Sequence, residues 1–115
     1  MPALSYSPTI VQAAINQAAA GSTDVVAAPG AKVRIYVVAI VLTNSHSAAG
    51  TIKFTEGTGP TDLTGEMQLA ASGGGMVIVG DGLSPVLHTP TANSKLSIVT
   101  VTGFVDGYIR YFIGT

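Results

Sequence analysis

Turn-forming residues recur so often along this chain that a long helix has little room to form. They cluster at Gly21-Ser22, Pro29-Gly30, Asn44 to Gly50, Gly57 to Pro60, Ser72 to Gly75, Gly80 to Pro85, Pro90 to Ser94 and Thr102-Gly103. The runs between them are rich in Val, Ile, Thr, Tyr and Phe, side chains that suit a pleated, half-buried surface. Short β-type segments at this spacing predict an all-β fold, an antiparallel β-sandwich of jelly-roll type with about eight or nine strands. With 115 residues the chain suits one hydrophobic core. The expected organisation is an extended arm over residues 1–8, where Pro2 and Pro8 resist helix, and a single sandwich domain over residues 9–115.

Residues 9–20 admit two readings. A short alanine-rich helix would put Gln12 and Asn16 on one face, whereas Ile10, Val11 and Ile15 favour extended structure. Strand is preferred, because a helix this short needs a packing partner to form at all.

Two segments are more informative. Alternate side chains of a strand face opposite ways. Over residues 32–43, Val33, Ile35, Val37, Ala39 and Val41 fall on one face, and Arg34, Tyr36, Val38, Ile40 and Leu42 on the other. Over residues 104–113, Phe104, Tyr108, Arg110 and Phe112 oppose Val105, Ile109, Tyr111 and Ile113, with Asp106-Gly107 as a turn or bulge signal. A half-buried antiparallel strand should alternate apolar with polar. These two are apolar on both faces, so the second face asks for a partner. The candidate subunit interface is therefore Tyr36, Val38, Ile40, Leu42, Tyr108, Arg110 and Phe112.

Composition points the same way. Charged residues make up 10% of the chain and hydrophobic ones 47%, against roughly 25% charged in ordinary domains. So little charge does little to keep copies apart, and permanent assembly is expected. Five basic against six acidic residues give a net charge of −1, which offers no electrostatic footprint for nucleic acid or an anionic membrane. Met1 to Pro8 lack the basic-then-apolar pattern of a secretory signal. The longest apolar run, Val33 to Leu42, is interrupted by Arg34 and is far short of the ~20 residues of a membrane helix.

Chemistry finds few handholds. There is no cysteine, which removes disulfides, thiolate nucleophiles and Cys-based metal sites. Ser45-His46-Ser47 reads as a polar hairpin tip, since sequence neighbours do not make a catalytic triad. His88 alternates with apolar residues and is expected to be partly buried and hydrogen-bonded. Asp24, Glu56, Asp62, Glu66, Asp81 and Asp106 fall mainly on turns, without a calcium-loop pattern. Gly73-Gly74-Gly75 lacks the lysine of a P-loop, and Gly80 to Pro85 has proline where a phosphate loop needs glycine; both read as loops. No enzyme activity, cofactor or metal is expected.

The run Lys32-Val33-Arg34-Ile35-Tyr36-Val37-Val38, a polar turn, Gly50-Thr51-Ile52-Lys53-Phe54, then Leu63 to Ala71 and a glycine tract resembles small structural proteins of tailed bacteriophages. So does the close, with Leu96 to Val101 and Tyr108 to Phe112 as an apolar hairpin. The resemblance spans residues 23–113 as spacing and pattern and carries no catalytic motif. It implies a jelly-roll decoration (cement) protein on the capsid exterior, a homotrimer binding the major capsid protein to resist internal DNA pressure. The alternative is a glycan- or ligand-binding jelly-roll module of a phage fibre or tail appendage, with Arg110 between Tyr108 and Phe112 as a stacking surface.

Overall fold

The computed structural model describes residues 9–80, 85–101 and 104–115. The expected arm over residues 1–8 lies outside the described residues, as do Asp81, Gly82 and the Thr102-Gly103 turn. The stretch 9–20 holds a strand rather than a helix: β1 runs Val11–Gln17, followed by β2 (Gly21–Val26), β3 (Arg34–Asn44), β4 (Gly50–Glu56) and β5 (Thr61–Asp62). The chain continues through β6 (Met67–Leu69), β7 (Gly74–Val79), β8 (Leu87–His88), β9 (Leu96–Thr100) and β10 (Val105–Gly114). No helix occurs among the described residues.

The strands form two antiparallel sheets. The first has the order β1-β10-β3-β7, with β8 also on β3; the second has β2-β9-β4-β5, with β6 also on β4. This is jelly-roll order. The expected eight or nine strands become ten because two edge positions are split. β5 and β6 share the outer side of β4, while β7 and β8 share that of β3. Each split pair does the work of one strand.

The core lies between the sheets. Ile15, Ile35, Val37, Ile40, Leu42 and Ile109 of the first sheet meet Val26, Ile52, Phe54, Leu69, Leu96 and Ile98 of the second. Buried polar groups close its ends. Gln17 Nε2 donates to the Gly21 carbonyl at 2.7 Å and to Thr100 Oγ1 at 3.2 Å. Fully buried Asn44 donates from Nδ2 to the carbonyls of Ala48, Leu69 and Ala70, and its Oδ1 accepts from the His46 amide. These bonds satisfy groups that would otherwise be costly to bury.

A β-bulge governs which residues of β3 face inward. Arg110 pairs with Ala39 but the next residue, Tyr111, pairs with Val37, leaving Val38 without a partner on β10. An extra residue shifts the alternation by one. Ile35 and Val37 point inward before the bulge, Ile40 and Leu42 after it. The apparent second apolar face of residues 36–42 is thus largely the core face resumed in the other phase. Val38 is itself buried, at 7% exposure.

Two glycine features also depart from the sequence reading. Gly74 and Gly75 are strand residues of β7, opposite Asn44 and Thr43, rather than loop. Asp106 and Gly107 make neither turn nor bulge: they pair in register with Thr43 and Leu42 in mid-strand. Gly107 has φ +149° there, and a Cβ on it would overlap the Val41 carbonyl.

Candidate functional site

With the phase of β3 known, the outer face of the first sheet follows from register. β10 contributes Asp106, Tyr108, Arg110 and Phe112, opposite Thr43, Val41, Ala39 and Tyr36 of β3. β1 adds Gln12, Ala14 and Asn16, opposite Arg110, Tyr108 and Asp106. On the far side β7 adds Val77 and Val79, and β8 adds His88 beside Tyr36.

Aromatic rings organise one end of this face. Tyr36 lies between neighbours on the two flanking strands, stacked on Phe112 with centroids 5.0 Å apart and on His88 at 5.8 Å. Its hydroxyl donates to the Thr115 carbonyl at 2.8 Å. Further along β10, the Arg110 guanidinium sits over the Tyr108 ring at 5.6 Å, within cation–π range. Arg110 Nε also donates to Gln12 Oε1 at 3.4 Å. A shallow depression of about 640 Å³ opens beside the stack, lined by Val33, Tyr36, Pro85, Phe112 and residues 113–115. Val77 and Val79, at 70% and 68% exposure, leave much of β7 bare and apolar.

The outer face of the second sheet differs in kind. Lys53 pairs with Asp62 at 3.1 Å, and Lys95 with Asp24 at 3.0 Å. Ser97 Oγ donates to Asp24 Oδ1 at 3.0 Å. The hydrogen bond from Lys95, then that from Ser97, holds the Asp24 carboxyl below its ordinary range. One sheet faces outward with paired charge, the other with rings and bare valines.

The structure brings together four of the seven interface candidates, Tyr36, Tyr108, Arg110 and Phe112. It separates the rest. Ile40 and Leu42 are core residues, their expected shared face with Tyr36 overturned by the shift at Val38, and Val38 itself is buried at the bulge outside the core cluster. His88, expected to be partly buried and hydrogen-bonded, is exposed and stacked on Tyr36. Val77, Val79 and Gln12 were missed. The signal lay in Met76-Val77-Ile78-Val79, four apolar residues on a strand of period two, which must turn half their number outward.

The Ser45-His46-Ser47 hairpin tip joins β3 to β4 and uses its polar groups on backbone. Ser45 Oγ donates to the Phe104 carbonyl at 3.1 Å, and His46 Nδ1 accepts from the Ala48 amide at 3.0 Å. Among the described residues no three of His, Asp and Glu gather in a way that would hold a metal ion.

No protein-family model matches the chain, and no curated protein sequence does. Among solved structures the chain aligns with "EclA C-terminal domain; sugar-binding protein" at 9% identity and a TM-score of 0.41, over 99% of this chain and 81% of that one. A likeness this distant carries no argument about function.

Proposed function

We propose that this chain is a virion structural protein, a capsid decoration or cement protein. In this reading it docks on the major capsid protein through the outer face of its first sheet, acts as a homo-oligomer on the capsid exterior and stabilises the shell. The observation that carries the reading is the contrast between the two outer faces. One is finished with ion pairs; the other leaves Val77 and Val79 bare beside a row of aromatic rings. Four strands about 4.8 Å apart, the longest about 33 Å, give a face of roughly 600 Å². Covering it against a partner would bury about 1,200 Å² in total, the lower end of specific protein interfaces. The charge-poor composition and the resemblance to tailed-phage structural proteins support the same reading.

The second reading, a glycan- or ligand-binding module of a fibre or tail appendage, draws on the depression beside Tyr36 and Phe112. The ring geometry favours the first. A sugar platform needs a free ring face, whereas Tyr36 is flanked by Phe112 and His88, and Tyr108 is overlain by Arg110. Co-sedimentation with tailed-phage capsid shells stripped of their outer proteins tests the choice. The wild-type chain is expected to pellet with the shells and the V77E/V79E variant to stay in solution. Failure to pellet, with a glycan-array signal abolished by Tyr36→Ala, would move the function to the second reading.

A further inference from the structure

The first sheet ends at β1, and this edge differs from the other three. Exposed edges carry unpaired backbone groups, and proteins blunt them with charge, bulges, proline or very short strands. The β2 edge carries Asp24 and a register shift between Asp24 and Val26. The edge on β4 is split into β5 and β6, of two and three residues. The edge on β3 opens with Gly74 and Gly75 and is split between β7 and β8. β1, by contrast, pairs with β10 through seven residues in unbroken register, Val11 to Gln17. Those residues, Val-Gln-Ala-Ala-Ile-Asn-Gln, include no charge, proline or glycine. Ile10 and Val11 are exposed at its start. Among the described residues no strand covers its other side.

We propose that this edge pairs with the β1 edge of a second copy, antiparallel about a two-fold axis at Ala14. Such an isologous contact demands a sequence that complements itself when reversed, and β1 meets that demand. The register that uses all seven residues sets Ala14 against Ala14 of the second copy. Gln12 then faces Asn16, Ala13 faces Ile15, and Val11 faces Gln17. Residues directly opposite share a face of the sheet. Gln12 and Asn16, both outward, are amides able to bond each other, while Ala13 and Ile15 both face the core side. No like charges meet, and the two alanines leave room at the axis. The same register keeps inward residues inward, which a one-residue slip would not. Pairing would fuse the two first sheets into one and join their outer faces, with Tyr108 beside Ala14 on each side of the axis. A pair is the unit this edge builds, where the phage resemblance implies a trimer. The inference uses the edge rather than the face and does not depend on capsid docking.

Two double variants at the same exposed positions test it. In Q12E/N16K, unlike charges face each other twice across the axis; in Q12E/N16E, like charges do. Cross-strand pairs of opposite charge stabilise and those of like charge destabilise. Sedimentation equilibrium at micromolar concentration should find the wild-type chain as a dimer or an even multiple. Q12E/N16K should retain the association, and Q12E/N16E should weaken it by roughly tenfold or more, with circular dichroism melting confirming that both variants fold. V77E/V79E, which alters the docking face alone, should leave the association unchanged. The proposal is overturned by a monomer, by a closed trimer, by equal association of the two double variants, or by dissociation of V77E/V79E.

Discussion

Gly107 of β10 occupies a place where its neighbour, the Val41 carbonyl on β3, leaves no room for a side chain. Two demands coincide there: φ of +149°, which L side chains rarely adopt, and contact with backbone that cannot swing aside. Gly107 also pairs with both Ile15 and Leu42, so any shift would disturb three adjacent strands. Gly107→Ala is expected to cost about 2–4 kcal/mol, read by urea denaturation. Gly59→Ala and Gly65→Ala, where an added Cβ meets nothing within 4 Å, should be nearly neutral. A Gly107→Ala protein as stable as these controls would refute the close approach.

The bulge at Val38 makes a sharper prediction, because it decides the facing of two neighbours. Ile40 is core at 3% exposure, whereas Val41 lies opposite Tyr108 on the outer face. Ile40→Asp should prevent folding or cost more than about 4 kcal/mol, since it buries an unpaired carboxylate. Val41→Asp should leave a folded protein, losing only partial burial. If alternation ran unbroken from Ile35, the two outcomes would be exchanged. Circular dichroism melts of both variants decide between the phases.

How far the fold could be read in advance follows from these same strands. The turn clusters located most strands, and β10 was readable face by face, since Tyr108, Arg110 and Phe112 alternate with Val105, Ile109 and Tyr111. β3 was not. From Val37 to Leu42 every residue is apolar, so a change of phase leaves no trace in polarity, and the bulge exists only in the pairing with β10. The split edges were hidden for a related reason: β5 and β8 are two residues long and owe their extended form to β4 and β3. The site was legible where one residue per pair is polar or aromatic, as on β10. It was illegible on β7, where Val77 and Ile78 look alike but face opposite ways.

Asp24 supplies a pH dependence with a defined sign. Its carboxyl is held below the ordinary value first by the hydrogen bond from Lys95, then by that from Ser97. A carboxylate whose folded pKa lies below its unfolded value, about 3.9, stabilises the fold above that value and loses the contribution as pH falls through the folded pKa. The melting temperature of the wild-type chain should therefore fall more steeply below about pH 4 than that of Asp24→Asn. The two curves should run parallel at neutral pH. The pair is exposed and screened by salt, so the difference should shrink in 1 M NaCl. Identical slopes below pH 4 in low salt would mean that the Lys95 and Ser97 contacts do not persist in solution.

The stacked rings of Tyr36 and Phe112 can be tested as a pair. They sit directly opposite each other on β3 and β10, with centroids 5.0 Å apart and planes 13° from parallel. Aromatic pairs in such geometry are worth about 0.5–1.5 kcal/mol beyond the area they bury, and a double-mutant cycle isolates that part. Urea denaturation of Tyr36→Ala, Phe112→Ala and the double variant should give a coupling of about 0.5–1 kcal/mol. The hydrogen bond from the Tyr36 hydroxyl to the Thr115 carbonyl is separable with Tyr36→Phe, which removes the bond and keeps the ring. If the rings hold each other, Tyr36→Phe should retain most of the coupling to Phe112. A coupling that vanishes in Tyr36→Phe would instead assign it to the hydroxyl and its bond to the Thr115 carbonyl.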